Sequence, residues 1–119
     1  MDGMRFVFPL HGHGTLSADM VAHYKLPCDA TLVQVDAVAT TAAVGSVIIG
    51  TDADDNGYLT TFAFGASNVP ATADRGDFAG ALNSDTAECP HIAKGTVLLI
   101  TVTHASMINP DLALTFLEG

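Results

Sequence analysis

Apolar and polar residues alternate with a period of two along most of this chain, and the 3.6-residue period of amphipathic helices is nearly absent. In "ADMVAHYKL", Met20, Ala22, Tyr24 and Leu26 face one way and Val21, His23 and Lys25 the other. "ATLVQVDAVA" sets Val33, Val35 and Ala37 against Gln34 and Asp36. "GSVIIGT" is apolar throughout, which suits a central strand. "YLTTFAFG" places Tyr58, Thr60, Phe62 and Phe64 on one face. Near the end, "HIAKGTVLLITVTHA" reads as a short strand, a Lys94-Gly95 turn and a long strand with Leu98, Ile100 and Val102 inward. "DLALTFLEG" closes the chain with Leu112, Leu114 and Phe116 on one face. At the start, "RFVF" is a first short strand that Pro9 is expected to close, and "HGHGT" is expected to be a flexible connector.

Residues 66–90 break the pattern. They are rich in Ala, Ser, Asp, Gly and Pro, and so predict mostly loop, with Phe78 and Leu82 as apolar anchors. The sum is about eight short strands separated by turn residues, which predicts an all-β fold: an antiparallel, jelly-roll-like β-sandwich. Residues 1–14 form an N-terminal arm or the first strand, and 15–119 form the sandwich domain. If they are an arm, removing Met1 to Leu10 leaves the body folded. A faint echo links "LPCDATLVQV" and "CPHIAKGTVLLITV", each running from a proline through a polar turn into a long apolar strand.

Composition narrows the function. The 119 residues suit one domain with a real core. Only 14% of residues are charged, against about 25% in ordinary globular chains. A surface built from so few charges loses little solvation when a partner covers it. The formal net charge is −9, and the four cations Arg5, Lys25, Arg75 and Lys94 are scattered. Nucleic acid and anionic membranes both need clustered cations, so neither is an expected partner. No apolar run reaches the roughly 18 residues of a membrane span, and the start lacks the features of a signal peptide. Synthesis in the cytoplasm is the matching expectation.

The candidate sites are weak. Asp52, Asp54, Asn56 and Gly57 match the opening of an EF-hand loop, but its twelfth position is Ala63 rather than a bidentate Glu. A hairpin loop with Asn56-Gly57 as left-handed turn residues accounts for the segment better. His11, His13, His23, His91 and His104 are not spaced as a zinc set, and His104 is expected as a hydrogen-bonded histidine at the core edge. Cys28 and Cys89 are too few for a disulfide scaffold and read as buried free thiols, with a pairing between them left open. No nucleophile elbow exists, and the only glutamates are Glu88 and the penultimate Glu118. We therefore assign no catalytic, cofactor or metal residue and expect no enzyme activity.

"LPCDATLVQVDAV" resembles an opening strand of small β-sandwich virion proteins of tailed phages. "HIAKGTVLLITVTHAS" with "NPDLALTFLEG" resembles the closing strands of the same modules. The resemblance implies a capsid decoration (cement) protein on the outer surface of the virion. Its partners would be the major capsid protein and two further copies of itself in a homotrimer. The family role has no catalytic set to carry over. The alternative is a carbohydrate-binding β-sandwich module, since such patterns are shared among jelly rolls.

Overall fold

A computed structural model of the chain describes residues 4–14, 18–40, 45–78, 80–83, 89–103 and 107–119. Among them are nine strands and no helix: β1 (Arg5–His11), β2 (Met20–Lys25), β3 (Ala30–Val38), β4 (Ser46–Gly50), β5 (Leu59–Ala63), β6 (Ala71–Ala73), β7 (His91–Ile92), β8 (Val97–Thr103) and β9 (Asp111–Glu118). One sheet runs β1-β9-β3-β6, with β7 also on β3, and the other runs β2-β8-β4-β5. Every pairing is antiparallel. The paired strands nest as β1 with β9, β2 with β8, β3 with β6 and β4 with β5. That nesting is the order of a jelly-roll-like sandwich.

The alternating residues meet between the sheets. Leu32, Val35, Leu112, Leu114 and Phe116 of the first sheet face Val47, Ile49, Leu98, Ile100 and Val102 of the second, all at 3% exposure or less. A sandwich stabilises itself by burying these inner rows while the outer rows stay wet.

Several local readings change. Pro9 does not close β1; the strand continues to His11. The Gly12 N–H bonds the Pro110 carbonyl and the Met4 carbonyl accepts from the Glu118 N–H, so even-numbered positions face β9. The missing N–H of Pro9 therefore falls on the free side of an edge strand, where no ladder bond is lost. In β3, the pairing to β9 shifts between Leu32 and Gln34, so Val33 is the extra residue of a bulge. Leu32, not Val33, joins Val35 and Ala37 inside. A similar shift between β4 and β5 turns Leu59 inward beside Tyr58, in place of the expected Thr60. Within 66–90, the three-residue β6 pairs with Val35–Ala37, and Phe78 is fully buried, but Leu82 is 42% exposed.

The two echoing segments lie side by side. Leu26 donates to the Thr96 carbonyl at 3.0 Å and accepts from the Gly95 N–H at 2.9 Å. The Asp29 carboxylate accepts from the Lys94 N–H at 2.7 Å. The segments then lead into β3 and β8, interior strands of opposite sheets.

Candidate interaction surface

The registers sort the connections into two ends. At one end lie the β2–β3 and β4–β5 connections, the β7–β8 turn and the end of β9. At the other lie the β1–β2, β3–β4, β5–β6 and β8–β9 connections. Acidic residues follow this division. Asp29, Asp52, Asp54, Asp55 and Glu118 sit at the first end, and Asp74 and Asp77 lie on the loop running toward it. Among the described residues the second end holds only Asp19 and Asp111. The Asp111 carboxylate is in hydrogen-bond contact with His11 Nδ1.

The outward rows of the interior strands are nearly free of charge. β8 presents Leu99, Thr101 and Thr103; β4 presents Ser46 and Ile48; β9 presents Ala113, Thr115 and Leu117. Away from the strand ends, the one ionised group on these rows is Asp36. Its carboxylate accepts from Gln34 Nε2 (2.8 Å) and Thr72 Oγ1 (2.7 Å), so it is already paired within the sheet. The molecule is thus a sandwich with sparsely charged faces and an acidic end. Covering its faces removes little charge from water, and the acidic end keeps its solvation only if left exposed.

The aromatic residues lie elsewhere. Phe6 stacks on Phe116 with centroids 5.1 Å apart, Phe8 on Tyr24 at 4.2 Å, and Tyr24 tilts against Phe116 at 5.8 Å. The four rings close the gap between the β1 and β2 edges. All eight Phe and Tyr residues are buried or half-buried. Burial raises the pKa of Tyr58, and burial followed by the nearby Cys28 raises that of Tyr24.

Asp52–Gly57 forms the loop of the β4–β5 hairpin, and its main chain bonds to itself. The Asp54 carbonyl accepts from the N–H groups of Thr51 (2.8 Å) and Gly57 (3.1 Å), and the Asp54 N–H donates to the Thr51 carbonyl (3.1 Å). The Asp52 carboxylate accepts from His23 Nε2 at 3.3 Å. The glycine has a different purpose from the expected one, because neither Asn56 nor Gly57 takes a positive φ. Close approach is the reason: a Cβ on Gly80 would sit 2.1 Å from the Gly57 carbonyl oxygen, and one on Gly57 would strike the Leu82 side chain at 2.3 Å.

The histidines are spread over the molecule. His11 and His13 meet edge to face at 4.3 Å, His23 lies on β2, His91 is exposed on β7, and His104 lies outside the described residues, as does Glu88. No group of three or more His, Cys, Asp or Glu among the described residues could hold a metal ion. The "HGHG" turn is pinned rather than flexible. Gly12 N–H bonds Pro110, Gly14 N–H bonds Asn109 Oδ1 at 2.7 Å, and Asn109 N–H bonds the Gly14 carbonyl at 3.0 Å. Cys28 and Cys89 are both half-buried and are not joined in a disulfide; the Cys89 thiol points at the Val33 carbonyl at 3.8 Å.

No protein-family model matches the sequence, and neither does any curated protein. Solved structures do share the fold. A chain of the capsid asymmetric unit of cyanophage Pam1 superimposes with a TM-score of 0.55, covering 99% of this chain and 87% of that one at 16% identity. A chain of the acid-stable capsid of Helicobacter pylori bacteriophage KHP30 gives a TM-score of 0.46 at 16% identity, covering 94% and 93%. At such identity the first likeness bears on the fold alone. It spans nearly the whole sandwich, including β1 and the 66–90 connection.

Sequence reasoning found the uncharged character of this surface but missed how the acids are distributed. Asp29, Asp52 and Glu118 are far apart in sequence, and only the strand order brings their connections to one end.

Proposed function

We propose that this chain is a non-enzymatic structural protein of a phage virion. It sits on the capsid as a decoration (cement) protein that bridges neighbouring major capsid protein subunits. The observation that carries this reading is the full-length likeness to a chain of the Pam1 capsid asymmetric unit. The uncharged outward rows support it, since they suit permanent burial against neighbouring subunits. The acidic end faces water on the outside of the particle. Within the 66–90 connection, residues 66–70 lie at the opposite end and residues 74–83 run toward the acidic end, so the shell-facing contacts fall to the sheet faces and the opposite end, residues 66–70 included.

Binding across subunits stabilises only the assembled lattice, and the stabilisation follows mass action. Mass spectrometry of purified particles of the encoding virus should find the chain in stoichiometric amounts. Particles stripped of it should release their genome at lower temperature, and adding it back should restore the original value. Absence from the particles, or equal robustness without it, rejects the proposal. The carbohydrate-binding alternative gains nothing from the aromatic residues, because none of them is exposed as a stacking platform for a sugar ring.

A further inference from the structure

Among the described residues the sandwich has several sheet edges, and all but one are interrupted by a proline or a bulge or are very short. β1 carries Pro9 on its free side. β5 is bulged against β4, β6 has three residues and β7 two. Bulges, prolines and short strands are the usual devices that keep an edge from pairing. β2 has none of these three, and its one lysine, Lys25, stands at its last position rather than in its middle. Its six residues hold an unbroken register with β8, from Met20 opposite Val102 to Lys25 opposite Val97. Among the described residues, β8 is the only strand that β2 pairs with.

The direction of its main-chain groups follows from one bond. Leu26 N–H donates to the Thr96 carbonyl, so the amides of Tyr24, Ala22 and Met20 also face β8. Those of Val21, His23 and Lys25 point away from the sheet. Their side chains are exposed: Val21 is 54% accessible and the His23 side chain 53%.

We propose that the free edge of β2 pairs antiparallel with β2 of a second copy of this chain, joining two four-stranded sheets into one of eight. Opposed residues must point to the same face, which fixes the parity of the register. Setting Ala22 on the two-fold axis places Val21 opposite His23 of the second copy, and Lys25 opposite Asp19. Each of the two charged matches joins opposite signs, and no like charges face each other. Moving the axis to His23 would oppose the two histidines and set Lys25 against Val21. The Ala22 register joins outward N–H and C=O groups in about four central main-chain bonds. It also explains where chains of net charge −9 can approach, because β2 exposes Val21, His23 and Lys25 and no acid of its own. The contact gives two copies, where the phage resemblance implies three.

The test needs only the purified full chain. Sedimentation equilibrium should show a concentration-dependent mass approaching twice 12.3 kDa. Val21→Pro removes an outward N–H without touching a β8 bond, and should give a folded monomer at concentrations where the wild type is paired. Val7→Pro makes the same change on the already blocked β1 edge and should leave the pair intact. If Val21→Pro fails to fold, K25D replaces it; a carboxylate opposite Asp19 should weaken association about fivefold. A wild type that stays monomeric, a mass of three copies, an intact pair in Val21→Pro, or an unchanged dissociation constant in K25D would each overturn the inference. None of these results bears on whether the chain is found in particles.

Discussion

Removing the ring of Phe116 tests the packing most directly. Phe116 is fully buried on β9 and stacks with Phe6 from β1, while Tyr24 from the opposite sheet tilts against it. Phe116→Ala leaves a cavity sealed on all sides, and sealed Phe→Ala cavities cost about 3–5 kcal/mol. The unfolding entropy of 119 residues is about 0.25 kcal/mol per degree at roughly 2.1 cal/mol/K per residue. A loss of about 4 kcal/mol therefore lowers Tm by about 16 °C. Phe6→Ala is the comparison: that ring is half-buried, and water enters the space it leaves. Its cost should be about 1–2 kcal/mol, or about 4–8 °C. Differential scanning calorimetry on both variants measures the contrast. Equal shifts, or a Phe116→Ala shift under about 5 °C, would refute the view that the Phe116 side of the stack is core and the Phe6 side is rim.

Deleting residues 1–10 removes all of β1 but its last residue, uncovers the β9 edge and exposes Phe116; it should lower Tm by more than Phe6→Ala and promote aggregation, contrary to the expectation for a dispensable arm. Gly80→Ala should destabilise by more than 2 kcal/mol, because its Cβ would meet main chain at 2.1 Å rather than a movable side chain; chemical denaturation reads the loss. Titration calorimetry with Ca²⁺ should show no tight stoichiometric binding, since the Asp54 carbonyl is already used within the loop; stoichiometric heat that disappears in Asp54→Ala would show the opposite. Both tyrosine pKa values are raised above 10.0 in the folded chain, so the tyrosines' contribution to stability is constant below pH 10 and is lost as pH rises further, when the unfolded chain ionises first. Stability of the Tyr58→Phe variant should fall less steeply above pH 10 in pH-dependent melts.

The inner rows of the sandwich could be read directly from period-two alternation, because burial of one face leaves that pattern wherever a strand stays regular. Leu98, Ile100 and Val102, and Leu112, Leu114 and Phe116, are the clear cases. The reading failed where an extra residue interrupts the pleat. Val33 follows Leu32 and Thr60 follows Leu59, so either residue of each pair could be the inward one, and nothing local shows that a bulge sits there. β6, with the sequence Ala-Thr-Ala, carries too little side-chain information to be seen at all. Pro9 misled for a related reason. Its effect depends on whether its N–H side has a neighbour, and that is a property of the sheet order rather than of the residue.

The candidate surface has the same origin. Counting charges establishes that few are present, and few charges alone are compatible with any small alanine-rich domain. What separates an interaction surface from a merely bland one is placement. Nested pairing brings the β2–β3 and β4–β5 connections and the end of β9 together, and so collects the acids from Asp29 to Glu118. Among the described residues, the same pairing leaves β2 as the one edge strand longer than five residues without a proline or a bulge. An edge of this kind is a liability for a free monomer and a resource for an assembled protein. Pro9 interrupts the free side of β1, a register shift bends β5, and β6 is three residues long, whereas β2 has none of these features. The proposed pairing of two copies would complete the ladder that β2 leaves open, and the mass of the Val21→Pro variant decides whether it does.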